Sequence, residues 1–270
     1  MADRSGVVLT LSLQVVRSDL ERLGKVVATK SLDDADMPPQ DRHLLSSILD
    51  NSVPGAWAGL MSLLGSKPLS AWTLSLLDRA RQLEVWARSV GCLPRSLWLA
   101  GLFNPRGLIT AQLHHAAVSE GVSPDEMEVA VEPTWLEIDE IWGAPAIGGI
   151  YIHGLSLQGA RLDPSSRHLA APGPKEIVSP VCVLRIYGTR KTPSPPGSRA
   201  ASRAGSRAGS RAGSRRTSME EAPTTVYSCP VFRTQERSSA GYLFPLPLPT
   251  TAEDHDNWVV GAAALILDAS

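Results

Sequence analysis

The first 90 residues carry apolar positions at the spacing of α-helices. Between residues 9 and 27, apolar side chains recur at alternating steps of four and three, which predicts the buried face of one long helix: Leu9, Leu13, Val16, Leu20, Leu23 and Val27. A second series over 68–90 predicts another helix, buried through Leu69, Trp72, Leu76, Ala80, Leu83 and Trp86. Shorter helices are predicted over 41–49 and 54–64. This part of the chain is therefore expected to be helical.

One further helix has signals at both of its ends. Asn104 is a good N-cap residue, and Pro105 suits the first helical position. Gly121 provides the glycine on which many helices end. We therefore predict a helix over 105–120, with a buried side formed by Leu108, Ile109, Leu113, Ala116 and Ala117.

After residue 121 the apolar period falls to two, which is typical of β-strands. The alternation through 150–158 slips phase at Gly154, as a β-bulge would cause. Further strands are predicted over 181–187, 226–234, 241–246 and 258–267. Pro230 lies inside one of them, which predicts an edge strand or a bulge because proline donates no hydrogen bond to a ladder.

Helices followed by strands indicate an α+β fold rather than an alternating α/β fold. We predict an N-terminal helical subdomain over 1–121, followed by a small antiparallel β-barrel-like subdomain over 122–270. A low-complexity insertion at 190–222 interrupts the second subdomain. It offers almost no apolar surface to bury, so we expect a disordered loop there.

The insertion contains a Ser-Arg-Ala-Gly repeat that runs from Ser198 to Arg215. Each repeat places an arginine three residues before a serine, as in substrates of basophilic kinases. The candidate phosphorylation sites are Ser202, Ser206, Ser210, Ser214 and Ser218. Two alternatives stay open, namely contact with an anionic surface such as tubulin, a membrane or RNA, and a solvated linker without a partner.

Charge and composition exclude several classes of protein. Residues 190–216 carry eight basic and no acidic side chains, so the remaining residues carry a net charge of −9, which disfavours direct nucleic-acid binding. No run of 18 apolar residues predicts a membrane span, and the first residues do not have the pattern of a secretory signal. The three cysteines Cys92, Cys182 and Cys229 are widely spaced, which predicts buried thiols in a reducing compartment such as the cytoplasm.

The sequence lacks the motifs of a catalytic or cofactor site. There is no P-loop and no dinucleotide-binding glycine pattern. Adjacent histidines at 114 and 115 would diverge on a helix, and the carboxylates of Asp139 and Glu140 would diverge likewise. The sequence Asp254-His255-Asp256 predicts a solvated turn between two strands. We therefore predict no catalytic residue, no cofactor and no metal site.

Six segments in order resemble the C-terminal region of dynein heavy chains. Residues 98–110 are similar to a Trp-Leu-x-Gly, aromatic, Pro-Gln-x-Phe-Leu-Thr signature, and 154–163 to Gly-Leu-x-Leu-x-Gly-Ala-x-Trp-Asp. Residues 227–234 resemble Tyr-x-Cys-Pro-Val-Tyr-Lys-Thr, and 258–267 a closing Trp-x-x-x-Gly-Val-Ala-Leu strand. The segments 53–57 and 67–72 also fit. The sequence departs from the family at Leu102, Asn104, Arg106 and Leu162, which are changes in packing residues, and the insertion is not a recognised family feature.

The resemblance implies a helical part and a β-barrel that lie on the ATPase ring of a dynein heavy chain. Such a module supports the ring and tunes movement along microtubules, but neither hydrolyses ATP nor contacts the track. The implied partners are that ring, in cis or as a separate chain, and other dynein subunits. The implied locations are the cytoplasm and cytoskeleton, including the ciliary or flagellar axoneme. The alternative is a free-standing regulatory adaptor with a phosphorylatable basic loop.

Overall fold

The N-terminal part of the chain is helical and most of the strands follow it, so the predicted α+β fold is confirmed. The computed structural model describes residues 2–29, 37–58, 67–88, 94–191, 225–251 and 254–268. The helices are α1 (Ala2–Thr29), α2 (Pro39–Leu49), α3 (Gly55–Ala58), α4 (Leu69–Arg88), α5 (Pro105–Glu120) and α6 (His255–Val260). The strands are β1 (Leu97–Trp98), β2 (Met127–Pro133), β3 (Ile150–His153), β4 (Ser156–Gln158), β5 (Arg161–Asp163), β6 (His168–Ala170), β7 (Val178–Pro180), β8 (Leu184–Arg190), β9 (Thr225–Thr234), β10 (Tyr242–Thr250) and β11 (Ala264–Asp268).

Helices α1 to α4 share a small apolar core that is centred on two tryptophans. The rings of Trp57 and Trp72 stack with their centroids 6.0 Å apart. The predicted buried face of α4 is confirmed, since Trp72, Leu76 and Leu83 are buried in this core. Trp86 is half-buried and packs against both this core and the larger core of the sheets.

The predicted buried face of α1 is only partly correct. Leu9 and Leu23 are buried, but Leu13, Leu20 and Val27 are exposed. The stripe that faces the core instead runs through Ser12 and Asp19. Asp19 is placed there because Trp57 has an indole N–H that needs an acceptor, and the Asp19 carboxylate supplies it at 2.8 Å.

Helix α5 begins and ends where the sequence predicts. The side chain of Asn104 accepts from the backbone N–H of Gly107, and Gly121 closes the helix with a φ of +67°. Its buried side includes the predicted Leu108, Ile109 and Ala117 together with Gln112, while Leu113 and Ala116 are half-buried. Helix α5 and β1 pack in the same core as the sheets. The division of the chain into two subdomains at residue 121 stays a prediction.

The strands form two main sheets, ordered β1-β3-β8-β2 and β10-β9-β11-β4-β7, and a separate β5-β6 pair. Most pairs are antiparallel, whereas β1 with β3 and β9 with β11 are parallel. The predicted β-bulge at Gly154 is wrong, because β3 and β4 on either side of it belong to different sheets. Gly154 is the corner between them, with a φ of +77°, and a Cβ atom there would collide with the ring of Trp98.

Two other strand predictions need correction. Strand β9 is not an edge strand, since it lies between β10 and β11. It tolerates Pro230 because its ladder with β11 begins one residue later, at Val231. The predicted strand over 258–267 is wrong in its first part, because Trp258 lies in α6 and the strand begins at Ala264. The buried indole N–H of Trp258 donates to Thr250 Oγ1 at 2.7 Å, which holds this helical turn on the end of β10.

Candidate functional site

The titratable residues considered in the sequence do not come together in one site of the structure. His114 and His115 are exposed on α5. Glu140 accepts from the backbone N–H of Glu137 and so caps a short helical turn, which directs its carboxylate away from any shared site with Asp139. In the described part of the chain, no group of three His, Cys, Asp or Glu side chains is placed to hold a metal ion.

The Asp254-His255-Asp256 cluster is a local helix-start motif. The Asp254 carboxylate accepts from the Thr251 hydroxyl at 2.7 Å and from the Asn257 side-chain amide at 3.2 Å. His255 Nδ1 lies 3.5 Å from Asp256, whose side chain is fully exposed. The segment does connect two strands as predicted, but it starts α6 rather than forming only a turn.

The cysteines within the described residues are placed as packing residues. Cys229 is buried, and burial raises the pKa of its thiol to about 12, so it stays protonated at neutral pH. Cys182 is half-buried, and burial raises its pKa as well. Cys92 lies outside the described residues. The prediction of buried thiols is thus confirmed for Cys229.

The five candidate phosphorylation sites also lie outside the described residues, which stop at Lys191 and resume at Thr225. The structure does describe where that segment is attached. The backbone N–H of Lys191 donates to Glu126 O at 2.8 Å, and its ammonium donates to Asp125 O at 2.6 Å. At the other end, Thr225 begins β9 and pairs with Thr250.

Helix α1 presents an apolar surface to solvent, which we call the α1 line. It consists of Leu13, Leu20 and Val27, which are 36%, 46% and 40% exposed and follow one another at steps of seven. At 100° per residue these side chains lie beside the buried stripe. The apolar arc of α1 is therefore wider than the part that the described residues cover. Exposed apolar surface of this kind is typical of interaction sites.

A second apolar surface lies on the loop between β2 and β3. Trp142 and Ile147 on this loop are more than four-fifths exposed. Arg185 holds the loop in place, since its guanidinium donates to the carbonyl oxygens of Ile147 at 3.0 Å and Gly148 at 3.1 Å. The same group pairs with Glu132 at 2.7 Å and lies 4.3 Å from the ring centroid of Tyr187.

Sequence reasoning overlooked Arg185. A charged residue between Leu184 and Ile186, in an otherwise apolar strand, was a signal that could have found it, because a buried charge requires partners. The partners themselves lie 37 to 53 positions away along the chain, so no local pattern identifies them.

A groove of about 520 Å³ runs between β2 and β10, and we call it the β2–β10 groove. Strand β2 is one edge of the first main sheet, and β10 is one edge of the second. The lining includes Glu128 and Glu132 of β2, Tyr187 of β8, and Pro247 and Pro249 of β10. Within the described residues the sheets do not join into a closed barrel, and this groove is the gap between them.

No helix in the described residues is both long enough and apolar enough to cross a membrane.

Comparison with known proteins gives a consistent result. The family model for the C-terminal domain of dynein heavy chains matches residues 10–200. Dynein axonemal heavy chain 1 of Homo sapiens is 28% identical over 262 residues, covering 94% of this chain and 5% of the relative. The flagellar outer arm dynein beta chain of Chlamydomonas reinhardtii is 29% identical over 230 residues, covering 85% of this chain and 4% of the relative.

A third relative, dynein axonemal heavy chain 17 of Homo sapiens, is 30% identical over 226 residues, covering 83% of this chain and 4% of the relative. The chain thus spans about one twentieth of the length of the curated relatives that it matches. The resemblance inferred from the six sequence segments is confirmed by these matches.

Proposed function

Since this protein belongs to the family formed by the C-terminal domains of dynein heavy chains, we propose that it is a non-catalytic module that packs on the ATPase ring of a dynein heavy chain. There it supports the ring and tunes microtubule-based movement. The ring belongs either to the same polypeptide or to a separate one. The observation that carries this proposal is the exposed α1 line, in a family whose curated members are about twenty times longer than this chain.

The α1 line is suited to a permanent contact rather than to solvent. Its three aliphatic side chains lie along a helix of 28 residues, so the line has the form of a seam. Covering such side chains contributes about 25 cal/mol for each Å² of apolar area removed from water. The charged Arg17 and Glu21 on α1 pair with each other at 2.8 Å on the exposed side of the helix.

Binding to a ring tests this proposal. The 270-residue protein is mixed with a human dynein axonemal heavy chain 1 motor that lacks its own C-terminal domain, and association is measured by sedimentation together with microtubule gliding velocity. We expect association and a changed velocity for the wild-type protein. Leu20→Asp should abolish both, whereas Val118→Asp should not, since Val118 is a matched exposed residue on α5. Absence of binding by the wild-type protein, or equal binding by both variants, would contradict the proposal.

The relatives named above are axonemal and flagellar dyneins, which supports a location on the cytoskeleton of cilia or flagella. In that setting the further partners of the protein would be other subunits of a dynein complex. A tagged version expressed in ciliated cells should then co-sediment with axonemes and be released with dynein by high salt. Recovery in the soluble fraction alone would argue against this location.

One observation favours a second function, that of a free-standing regulatory adaptor. The arginine three residues before each of Ser202, Ser206, Ser210, Ser214 and Ser218 makes these serines candidate kinase sites. Mass spectrometry of protein from its native cells tests the sites, and unmodified serines throughout 198–218 would exclude them. The transcript upstream of Met1 helps to separate the two functions, because a continuous reading frame that encodes ATPase modules supports the motor proposal with the ring in the same polypeptide, whereas a genuine stop codon and promoter there support the adaptor.

A further inference from the structure

The loop that joins β2 to β3, residues 134–149, begins with a strained residue, and we call it the Trp142 loop. Trp135 has a φ of +61°, in the left-handed region that a bulky aromatic residue rarely adopts. Hydrogen bonds on either side hold this conformation, since Thr134 Oγ1 donates to Val183 O at 2.7 Å and Val183 N–H donates to Leu136 O at 3.3 Å. Backbone strain of this kind persists only where the surrounding structure imposes it, and it is concentrated at functional segments.

The Trp142 loop is also fixed at its centre and at its far end. Ile141 is buried, and Arg95 Nη1 lies 3.5 Å from its carbonyl oxygen. At the far end, the Arg185 guanidinium donates to the carbonyl oxygens of Ile147 and Gly148. The loop is therefore held at three places along its length. A partner that binds it loses little free energy in ordering it, which favours binding.

This fixed loop presents large apolar side chains to solvent. Trp142 and Ile147 are almost fully exposed, and Leu136 and Ile138 are exposed as well. Only Gly, Ala and Pro residues lie between Trp142 and Ile147, so small side chains separate the two large ones. Tryptophan is among the residue types most enriched at the energetic centres of protein interfaces. The loop thus has the composition and the rigidity of a docking surface.

The charges beside these apolar residues are negative. Three exposed carboxylates come shortly before Trp142 in the sequence, namely Glu137, Asp139 and Glu140. Residues 133–149 contain no basic side chain. The charge of Arg185 is paired with Glu132, and Arg95 offsets one of the three carboxylates, which leaves an excess of two negative charges. Such a surface attracts a basic partner and repels acidic proteins and anionic lipids.

We propose that the Trp142 loop binds a basic segment of a partner protein, in which lysine or arginine residues flank aliphatic side chains. The aliphatic side chains pack on Trp142 and Ile147. The cations lie beside the carboxylates and over the Trp142 ring, since tryptophan forms the strongest cation–π contacts. The apolar contact supplies most of the affinity, and the charges supply specificity and association rate. This surface is separate from the α1 line, so the proposal does not rest on the proposed function.

Binding of a defined peptide to the 270-residue protein tests the proposal. The probe is a fluorescein-labelled peptide of sequence Lys-Lys-Leu-Leu-Lys-Lys, and fluorescence anisotropy measures its dissociation constant. Trp142→Ser should weaken binding at least roughly tenfold, as expected when the centre of an interface is lost. Val118→Ser is the matched control, since Val118 is equally exposed on α5, and it should leave binding unchanged. Equal binding by the two variants, or no binding by the wild-type protein at millimolar peptide, would overturn the proposal.

The contribution of charge is measured separately. Asp139→Asn should weaken binding roughly twofold to fivefold at low salt, and this difference should disappear at high salt. Glu236→Gln is the control, since Glu236 is exposed in the turn after β9 and should not affect binding. An equal effect of both substitutions would overturn the proposal. The peptide Lys-Lys-Ser-Ser-Lys-Lys should bind at least roughly tenfold more weakly than the probe, and equally tight binding would show that charge alone is recognised and the proposal is wrong.

Two further measurements detect other occupants of the Trp142 loop. Co-sedimentation with phosphatidylcholine or phosphatidylserine vesicles that is lost in Trp142→Ser would identify a lipid surface. Self-association in sedimentation velocity that is lost in the same variant would identify a second copy of the chain. Either result would overturn the proposal. We expect neither, because the exposed carboxylates repel phosphatidylserine, and two copies of the loop related by two-fold symmetry repel each other.

Discussion

Gln82 holds both backbone polar groups of Trp98 with the two ends of its side-chain amide. Its Nε2 donates to Trp98 O at 3.1 Å, and its Oε1 accepts from Trp98 N–H at 2.7 Å. Gln82 lies on α4 and Trp98 in β1, so this pairing joins the helical core to the sheets. The guanidinium of Arg79 lies over the Trp98 ring, 5.3 Å from its centroid, on the same side of α4.

Replacing Gln82 by Leu should destabilise the protein. The change removes both hydrogen bonds and leaves two half-buried backbone groups of Trp98 without their partner, which costs about 2 kcal/mol. Urea unfolding measures the loss. Gln14→Leu on the exposed side of α1 is the control and should change stability by less than about 0.5 kcal/mol. Equal stability of the two variants would show that the amide pairing contributes nothing.

Gly101 lies against the same pair of residues and should not tolerate a side chain. A Cβ atom at this position would be 2.5 Å from Trp98 Cε3 and 2.6 Å from Gln82 Nε2. Gly101→Ala should therefore cost about 1–3 kcal/mol through overpacking. Gly24→Ala is the matched control, because nothing lies within 4 Å of its added Cβ, and alanine in a helix interior should instead stabilise by about 0.5–1 kcal/mol. Opposite signs in thermal unfolding are the expected result.

The carboxylate of Asp41 is buried at the start of α2 and pairs with Arg22 of α1 at 2.7 Å. Arg22→Met should leave that carboxylate without this partner, and we expect a loss of roughly 2 kcal/mol, reduced by the partial exposure of Arg22. The loss should shrink when Asp41 is also changed to Asn, because a neutral amide needs no counter-charge. A double-mutant cycle by urea unfolding measures this coupling, and additive effects would contradict it.

Local sequence patterns predicted those parts of the fold that are determined by interactions between residues close in the sequence. The caps at Asn104 and Gly121 placed α5 correctly, because each acts within one helical turn. The prediction of the buried face of α1 was only partly correct, because Asp19 on that face accepts a hydrogen bond from Trp57, which is 38 residues away. Gly154 appeared as a slip in one strand, although it is a corner between two sheets. Strands of three residues such as β5 and β6 are too short for a period-two pattern to identify.

Among the candidate surface features, some can be predicted from the sequence and others only from the fold. The repeat and its arginine spacing are visible in the sequence, since they need no fold. The β2–β10 groove is not, because it forms where the edges of two sheets meet, and edge positions follow from topology rather than from residue type. The prolines at 245, 247 and 249 indicate an edge strand, whereas Pro230, for which an edge strand was predicted, lies in a central strand.

The thiol of Cys229 should be unreactive in the folded protein. Burial raises its pKa to about 12, so the nucleophilic thiolate is scarce at neutral pH. Because the folded pKa lies above the unfolded value of about 8.5, this thiol contributes stability that is complete below that value and is lost as the pH rises towards 12. Maleimide labelling with mass spectrometry at pH 7.5 should leave Cys229 unmodified until urea unfolds the protein. Labelling of Cys229 under native conditions would contradict the burial.

Arg185 should be irreplaceable by lysine in holding the loop between β2 and β3. Its planar guanidinium donates hydrogen bonds to the carbonyl oxygens of Ile147 and Gly148 and to the carboxylate of Glu132. It also stacks on the ring of Tyr187. A lysine ammonium carries the same charge but cannot reach these groups in the same fork geometry. Arg185→Lys should therefore release the loop and destabilise the protein by about 2 kcal/mol.

Chymotrypsin cleavage after the exposed Trp142 measures the release of this loop. We expect faster cleavage in Arg185→Lys, because a protease needs an extended and locally mobile segment. Arg81→Lys is the control, since Arg81 lies on α4 and makes an exposed pair with Asp78. If cleavage after Trp142 is equally slow in both variants, the loop is held by its own backbone contacts, such as the bond from Val183 N–H to Leu136 O, and not by Arg185.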